Sequence, residues 1–474
     1  MKTKVILFEL NEVPYKILDW YIGNHPHSNL ALVAAKSEQY RTLNEDAILS
    51  PWVTWPSVHR GVFDSHHGIS FLGQDLQNAD KKYPPVWQML AAKGVKCGIF
   101  GSLHTFPLPA ELNNYPFYVP DVFAKESDTH PDVLRTFQEL NLVMSRESAR
   151  NVSAGIPKKL ALELALQLPA LGISLRTVWQ TIQQLIAERL DNTKLCRRRV
   201  FQSILAFDAY MHLLKTRKPD FTTFFTNHVA SNMHRFWASN FPEDFAGCEQ
   251  RPDWSAQFNK EIEFAMDQAD NFIGQLMQFV HKNSEYSLWI ATSMGQGPAR
   301  EIPYLDTMLL VSDLNKFMSR LGLLPSDWEQ RPAMVPDYCV FVSDEKTEMF
   351  RGACSQLYIA GHQLSLHELE DHFFHFAVGH HDLHKTDQTV TLSGQKVPFD
   401  EMGLSCVKSQ DSIASSGDHI REGMFITYAP AATPATNKER PQMRSTEIAA
   451  RILQNYDIAI PEYMRQPTLA AAGR

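Results

Sequence analysis

Paired cysteines are missing from this 474-residue chain. Its six cysteines, Cys97, Cys196, Cys248, Cys339, Cys354 and Cys406, are scattered, with no CxxC among them. A cysteine-based zinc site therefore has no support, and a disulfide framework is not expected at this length. Long hydrophobic runs are missing too. No segment approaches the length of a membrane span, and the apolar residues 5–8 give way at once to Glu9, Asn11 and Glu12, too short and too charged for a signal-peptide core. The expectation is a cytoplasmic protein. Nor is there an excess of positive charge: the formal net charge of −8 offers nothing to draw the chain to nucleic acid, and Arg197, Arg198 and Arg199 read as one solvated helix face. No internal repeat is evident. The turn at Gly295, Gln296, Gly297 and Pro298 lacks the Lys and Ser/Thr that a phosphate-binding P-loop needs.

What is present is the composition of an ordinary soluble globular protein, 44% hydrophobic and 21% charged. The length exceeds what one core usually supports, which implies a large domain with insertions, or two domains. Residues 4–10 read as a buried parallel strand, 15–21 as a helix, 86–93 as a helix and 95–100 as a second strand. Strands are again expected at 220–226, 286–291 and 424–428, with helices at 258–280 and 446–454. This alternation indicates an α/β fold with a mostly parallel central sheet flanked by helices. Residues 49–69, rich in turn formers, aromatics and His, suit a loop at the carboxyl edge of that sheet.

Two interruptions stand out. Residues 151–215 are helical in spacing and read as an inserted cap. Within it, 160–171 is apolar enough to suggest an interfacial helix, but Glu163 and Gln167 break the run and favour core packing. Residues 301–410 look irregular and form a second, smaller insertion. It carries His362, His367, His372, His375, His380, His381 and His384, of which His372 and His375 could share a helix face. Their acidic neighbours look solvated, so a structural metal there is not the favoured reading. The core is thus expected from 1–150, 216–300 and 411–466, with a loose tail over 467–474.

In an open α/β sheet, ligands bind beyond the carboxyl ends of the strands. The polar residues there are Glu9, Asn11 and Glu12 after the first strand, and Thr54, Ser57, His59, His66 and His67 in the turn-rich loop. Asn227, His228 and His234 follow the 220–226 strand, Ser293 and Gln296 follow the 286–291 strand, and the stretch Ser416-Gly417-Asp418-His419 precedes the last strand.

This series, in this order, resembles the alkaline phosphatase superfamily, and most closely its nucleotide pyrophosphatase/phosphodiesterase (type I phosphodiesterase) branch. The matching stretches are Thr54-Trp55-Pro56 ahead of His67-Gly68-Ile69, the segment 227–237, Gly417-Asp418-His419 ahead of Gly423-Met424-Phe425, and the ending at 446–453 and 458–461. The resemblance covers the sheet strands but neither insertion. It implies a Thr or Ser nucleophile, here Thr54 or Ser57, and two zinc ions held by Asp and His ligands. The metal-ligand set is altered. The opening Asp is replaced by Glu9 or Asn11, the second by Asn227 or His228, and the family's S-D-H-G has become Ser293-Met294-Gly295. A thioether is a poor ligand for a hard or borderline dication. The metal site at the nucleophile keeps at most Glu9 and Thr54, whereas His228, His234 and His419 could form a three-His site with an open position.

The function this implies is a phosphoryl-type hydrolase or transferase, acting on a phosphodiester, phosphomonoester or sulfate ester. It would use one divalent metal (zinc or manganese) or none. Thr54 or Ser57 would attack and His419 stabilise charge, while Asn11, His59, Asn227, Ser293 and Gln296 bind a small anionic or glycan-type substrate. Two alternatives remain open: a catalytically inactive relative that binds an anionic ligand or partner, and an enzyme of glycan or envelope-polymer biosynthesis with a redesigned site.

Overall fold

The computed structural model describes residues 3–147, 157–334, 336–379, 388–430 and 439–467. The chain divides into two compact units: Met1–Glu139 with Lys159–Ile302 and Ser415–Arg474, and Leu140–Lys158 with Pro303–Ala414.

The first unit is an α/β fold built on an eight-stranded sheet. Its spatial order is Gln442–Arg444, Ser37–Leu43, Glu422–Tyr428, Tyr286–Ala291, Lys4–Leu10, Phe221–Thr226, Cys97–Phe100, Phe117–Val119. Every neighbouring pair is parallel except those made by Glu422–Tyr428, which runs antiparallel to both its neighbours. That reversal has a consequence for the site. It brings the residues before Glu422 to the same sheet edge as the residues after Leu10, Thr226 and Ala291.

Alternation along the first strand sorts its side chains between two helical layers. Val5 and Leu7 pack with Trp55, Val58, Trp87 and Leu90 on one face, joined by Ile448, Ile452 and Leu453 of the closing helix Glu447–Asn455. Phe8 lies on the other, stacked on Phe224 at 5.9 Å, and Phe224 meets Phe207 and Phe272. Those two come from the helices Arg198–Arg217 and Glu261–Lys282.

The segment expected to be a loop, 49–69, is mostly helical: Pro51–Arg60 and then Asp64–His67. Pro51 stands in the first turn, where its missing N–H costs nothing. Pro56 lies inside the helix and cannot donate to the carbonyl of Trp52. His104 takes over that acceptor, with its Nε2–H 2.7 Å from the Trp52 carbonyl oxygen. The turn-forming residues thus mark the start and a repaired interior position of a helix.

The 301–410 insertion is not irregular. It has a four-stranded antiparallel sheet (Trp328–Arg331, Asp337–Val342, Ser365–Glu370, Phe373–Ala377), and a core of its own around Phe317, Val340, Phe350, Phe374 and Phe376. His372 and His375 are not on a helix: they flank and join the Phe373–Ala377 strand, where His375 pairs across to His367. His380, His381 and His384 lie outside the described residues, as does the tail beyond Pro467.

The helical stretch after Lys159 falls in the first unit. The helix Lys158–Gln167 buries Leu160 and Leu164 but exposes Leu162 and Leu166, so the expected core packing holds for half of its leucines. No described helix is long and apolar enough to cross a membrane.

Candidate functional site

The first strand ends at Leu10, and the next two residues do different work. Asn11, continuing the alternation of the strand, reaches the helix Pro51–Arg60: Trp55 Nε1–H donates to its Oδ1 at 2.7 Å. Its amide nitrogen donates to Glu12 Oε1 at 2.7 Å and to Asn227 Oδ1 at 2.6 Å. Glu12 itself has a φ of 60°, a left-handed conformation that a residue with a side chain rarely adopts. Strain of this kind persists where the surroundings impose it, and it is concentrated at functional sites.

What surrounds the Glu12 carboxylate is two imidazoles. His234 Nε2 lies 3.0 Å from Glu12 Oε2, and His419 Nε2 lies 3.3 Å from the same oxygen. Gln296 Nε2 also donates to Oε2, and to the carbonyl of Ala230 at 3.1 Å. His234 comes from the buried helix His228–Asn240, whereas His419 comes from the short strand Gly417–Ile420, where it sits opposite Gln296. Gly417 is required by the close approach between these elements: a Cβ there would stand 2.7 Å from both Gln296 Oε1 and the Met233 carbonyl. Its own carbonyl receives the Nδ1–H of His234 at 2.9 Å. Likewise, His419 Nδ1 donates to the Leu49 carbonyl at 2.7 Å.

The tautomers follow from these contacts. A carbonyl oxygen can only accept, so both Nδ1 atoms carry hydrogen, and both Nε2 atoms face one carboxylate oxygen. If the rings are neutral, three lone-pair donors converge, with their ligand atoms within 4.8 Å of one another. Such an arrangement is stable only with positive charge at its centre, as imidazolium protons or as a metal ion. Burial on its own raises the Glu12 carboxyl, but the charges of His419 and His234 and the hydrogen bonds from both rings outweigh it and hold the group well below the ordinary carboxylate range. Among the described residues this is the one group of three His, Cys, Asp or Glu side chains placed to hold a metal ion.

The other residues singled out in the sequence are placed elsewhere. His228 does not join His234 and His419. Its Nε2–H donates to the Ala265 carbonyl at 3.1 Å, and its Nδ1 lies 2.6 Å from Thr226 Oγ1. Burial pushes it down to about 4, so it sits as a neutral core imidazole. Glu9, on the Trp55 face, is committed to His59, with Oε1 to Nε2 at 2.7 Å and both side chains buried. His59 is in turn packed between Trp55 and Trp87. Glu9 and His59 therefore form an internal pair under the helix and belong neither to a metal shell with Thr54 nor to the Glu12 group.

Thr54 is fully buried and donates its hydroxyl to Ser293 Oγ at 2.8 Å. The carbonyl of Ser293 accepts from Asn44 at 3.3 Å. The Asp-His pair of the resembled family thus gives way to a hydroxyl–hydroxyl contact beside the buried thioether of Met294. These residues do not fit a second metal ion.

Ser57, His67 and Asp46 are in contact in a way that looks like a catalytic triad. The polarity is wrong for one. His67 Nδ1 accepts the backbone N–H of Ile69 at 2.9 Å, so the hydrogen is on Nε2, which lies 2.9 Å from Ser57 Oγ. The ring therefore donates to Ser57 and cannot take its proton, and Ser57 donates onward to Asp46 Oδ1 at 2.7 Å. Burial, then the charges of Arg60, His104 and His66, lowers His67 to about 3; burial raises Asp46 to about 6. The chain ties the helix Pro51–Arg60 to the turns around it.

The position of the acidic residue after the first strand, expected at Glu9 or Asn11, falls instead to Glu12. One signal was available: an acid just past a buried strand and two residues before Pro14, the N-cap of the next helix.

No protein-family model matches the sequence, and no curated protein sequence matches it. Among solved structures, the chain is similar to murine ectonucleotide pyrophosphatase/phosphodiesterase 5, with 10% identity, a TM-score of 0.41, and 97% of this chain and 96% of that one covered. It is similar to the human protein of the same name with 12% identity, a TM-score of 0.40 and the same coverage. A mutant TAB5 alkaline phosphatase with bound magnesium follows at 10% identity and a TM-score of 0.37, covering 97% of this chain and all of that one.

Proposed function

We propose that this chain is a metal-dependent enzyme of phosphoryl-type chemistry that works with one divalent cation, held by Glu12, His234 and His419. The observation that carries the reading is the orientation of the two imidazoles: each is fixed by an Nδ1–H bond to a backbone carbonyl, and each turns Nε2 to the same Glu12 oxygen. Carbonyl partners of this kind are what set the tautomer and angle of metal-ligating histidines. Two imidazoles and one carboxylate suit zinc, manganese or iron(II), and leave positions open for substrate or water.

A cation bound there would supply charge neutralisation for a phosphoryl, or related, oxyanion and would acidify a coordinated water. The protein's own groups do the rest. Gln296 and Asn11 donate to the two Glu12 oxygens and hold the carboxylate in place, and Asn227 is fixed by Asn11 at the rim of the helix that carries His234. Ser57 is not the nucleophile in this reading, because its proton is already committed to Asp46. Thr54 has no base beside it in the contacts described, which supports attack by water more than covalent catalysis by Thr54. The substrate class, a small anionic ester, rests on the sequence resemblance.

The test is elemental analysis of purified protein, followed by calorimetric titration with zinc and manganese and assay on chromogenic phosphate mono- and diesters. One equivalent of metal and metal-dependent turnover that survives Thr54→Ala are expected. Protein that takes up no metal, or whose turnover disappears with Thr54→Ala while its metal content is unchanged, overturns the reading. A second reading, a relative that has lost catalysis and binds an anionic ligand, is favoured by the Thr54–Ser293 contact. It requires metal or anion binding without turnover of any of these esters.

A further inference from the structure

The helix Leu175–Leu190 is amphipathic in the reverse of the usual sense for a helix packed on a protein. The face it buries is polar: Thr177, Gln184 and Glu188. Gln184 donates to the Lys194 carbonyl at 2.7 Å, and Glu188 accepts a pair of bonds from Arg198, the shortest 2.7 Å. The opposite face carries Leu175, Trp179, Ile182, Ile186 and Leu190, spaced three and four apart, and these are the most exposed apolar side chains of the helix: 87% for Leu175, 60% for Trp179 and 84% for Leu190. At 16 residues the stripe runs about 24 Å. A soluble surface does not ordinarily leave such a continuous apolar strip in water.

Charge identifies what covers it. The helix has one acidic residue, Glu188, and that one is turned inward onto Arg198. Its exposed charges, Arg176 and Arg189, are both positive, and on a helical wheel they border the stripe on either side. Across residues 157–199 there are eight basic residues against three acidic, a net of +5 in a chain whose total is −8. A second copy of the same helix would set arginine against arginine with no exposed acid on the helix to answer them. An anionic lipid surface answers both features: it accepts the leucines, isoleucines and Trp179 at the acyl boundary and the arginines at the headgroups.

We infer that the Leu175–Leu190 helix lies on the surface of an anionic bilayer and docks the protein there, peripherally. The helix is too short and too polar on its inner face to span, consistent with the absence of any membrane-crossing helix among the described residues. The inference is independent of the metal site and stands or falls without it.

The test is flotation of the full chain with vesicles of phosphatidylcholine alone and of phosphatidylcholine with one quarter phosphatidylglycerol. Association with the anionic vesicles, weakened by salt, is expected, with little on the neutral ones. Trp179→Ser with Ile186→Ser should cut binding more than about tenfold, since apolar burial supplies the anchoring. Arg176→Gln and Arg189→Gln should each cut it about fivefold. All four side chains are exposed, so the variants should fold, with unfolding midpoints equal to or above that of the parent. No vesicle association, or association that the double serine variant leaves intact, overturns the inference. So does a dimer in sedimentation equilibrium that the same variant dissolves, which would give the face to a second copy.

Discussion

Two buried clusters in the first unit each combine residues from separate segments, and on inventory alone either could be an active centre. Around Ser57, donors and acceptors alternate and close: Ile69 N–H to His67 Nδ1, His67 Nε2–H to Ser57, Ser57 to Asp46. Around Glu12 they do not close. Two imidazoles spend their Nδ1 hydrogens on backbone carbonyls and present Nε2 to a carboxylate that already accepts from Gln296. In the first arrangement every hydrogen has an acceptor, although Asp46 Oδ2 stays buried without a partner among the described residues, and the chain of bonds braces a helix. The second needs positive charge from outside or from protons, and that need is what a ligand site consists of. The direction of the hydrogen bonds, more than the identity of the residues, separates the two.

The sharpest way to break this comparison is at Glu12. Glu12→Gln keeps the size and a donor–acceptor amide but removes the anionic ligand. Metal affinity should fall more than about a hundredfold, beyond the ten- to hundredfold that loss of a supporting contact costs. His228→Asn, in the neighbouring core position, should leave affinity within about twofold while lowering the unfolding midpoint, since a buried partner is lost. Equal losses of metal in the two variants would mean that His228 shares the site after all.

The brace is tested at Ser57. Ser57→Ala leaves the Nε2–H of His67 without its acceptor and Asp46 Oδ1 with the Asp64 N–H but without the Ser57 hydroxyl, a cost of about 1–3 kcal/mol in a buried network. Turnover and metal content of the folded fraction should not change. If instead stability holds and turnover vanishes, Ser57 is the nucleophile and its hydrogen bonds run the other way, toward His67.

Much of this arrangement was legible in the sequence, for identifiable reasons. The strands 4–10, 220–226 and 286–291 are short apolar runs, and they fall where the structure has Lys4–Leu10, Phe221–Thr226 and Tyr286–Ala291. His419 was legible because Gly417 before it and Gly423 after it mark close backbone approaches, and the two glycines do sit against Gln296 and Thr292. What failed was assignment by nearness to the strand end. Glu9 is nearer, but alternation points it into the Trp55 layer, and the left-handed turn that swings Glu12 toward His234 is invisible in a sequence. The core of the second unit was missed for another reason. Its strands Ser365–Glu370 and Phe373–Ala377 carry histidines and acids on their outer faces, which hide the alternating Phe374 and Phe376 that pack inside.

The effect spread most thinly, over several pH units, concerns how the core histidines differ from the site histidines under acid. His228 is held neutral, with its pKa lowered by burial to about 4 against an ordinary value of 6.5. Below pH 6.5 the unfolded chain takes up a proton there that the folded chain refuses, so His228 stabilises fully above that pH and its contribution is lost as pH falls toward 4, by up to about 1.4 kcal/mol per unit. Asp46 has the opposite sign. Burial raises it from 3.8 to about 6, so its contribution is present below 3.8 and lost as pH rises through 6. Urea unfolding midpoints measured between pH 7 and pH 4.5 should therefore fall with pH in the parent, fall less in His228→Gln, and fall more steeply in Asp46→Asn, from which the opposing group has been removed. If both variants track the parent, neither group is held in the protonation state its surroundings imply, and the neutral core imidazole would have to be redrawn as a charged one within reach of the site.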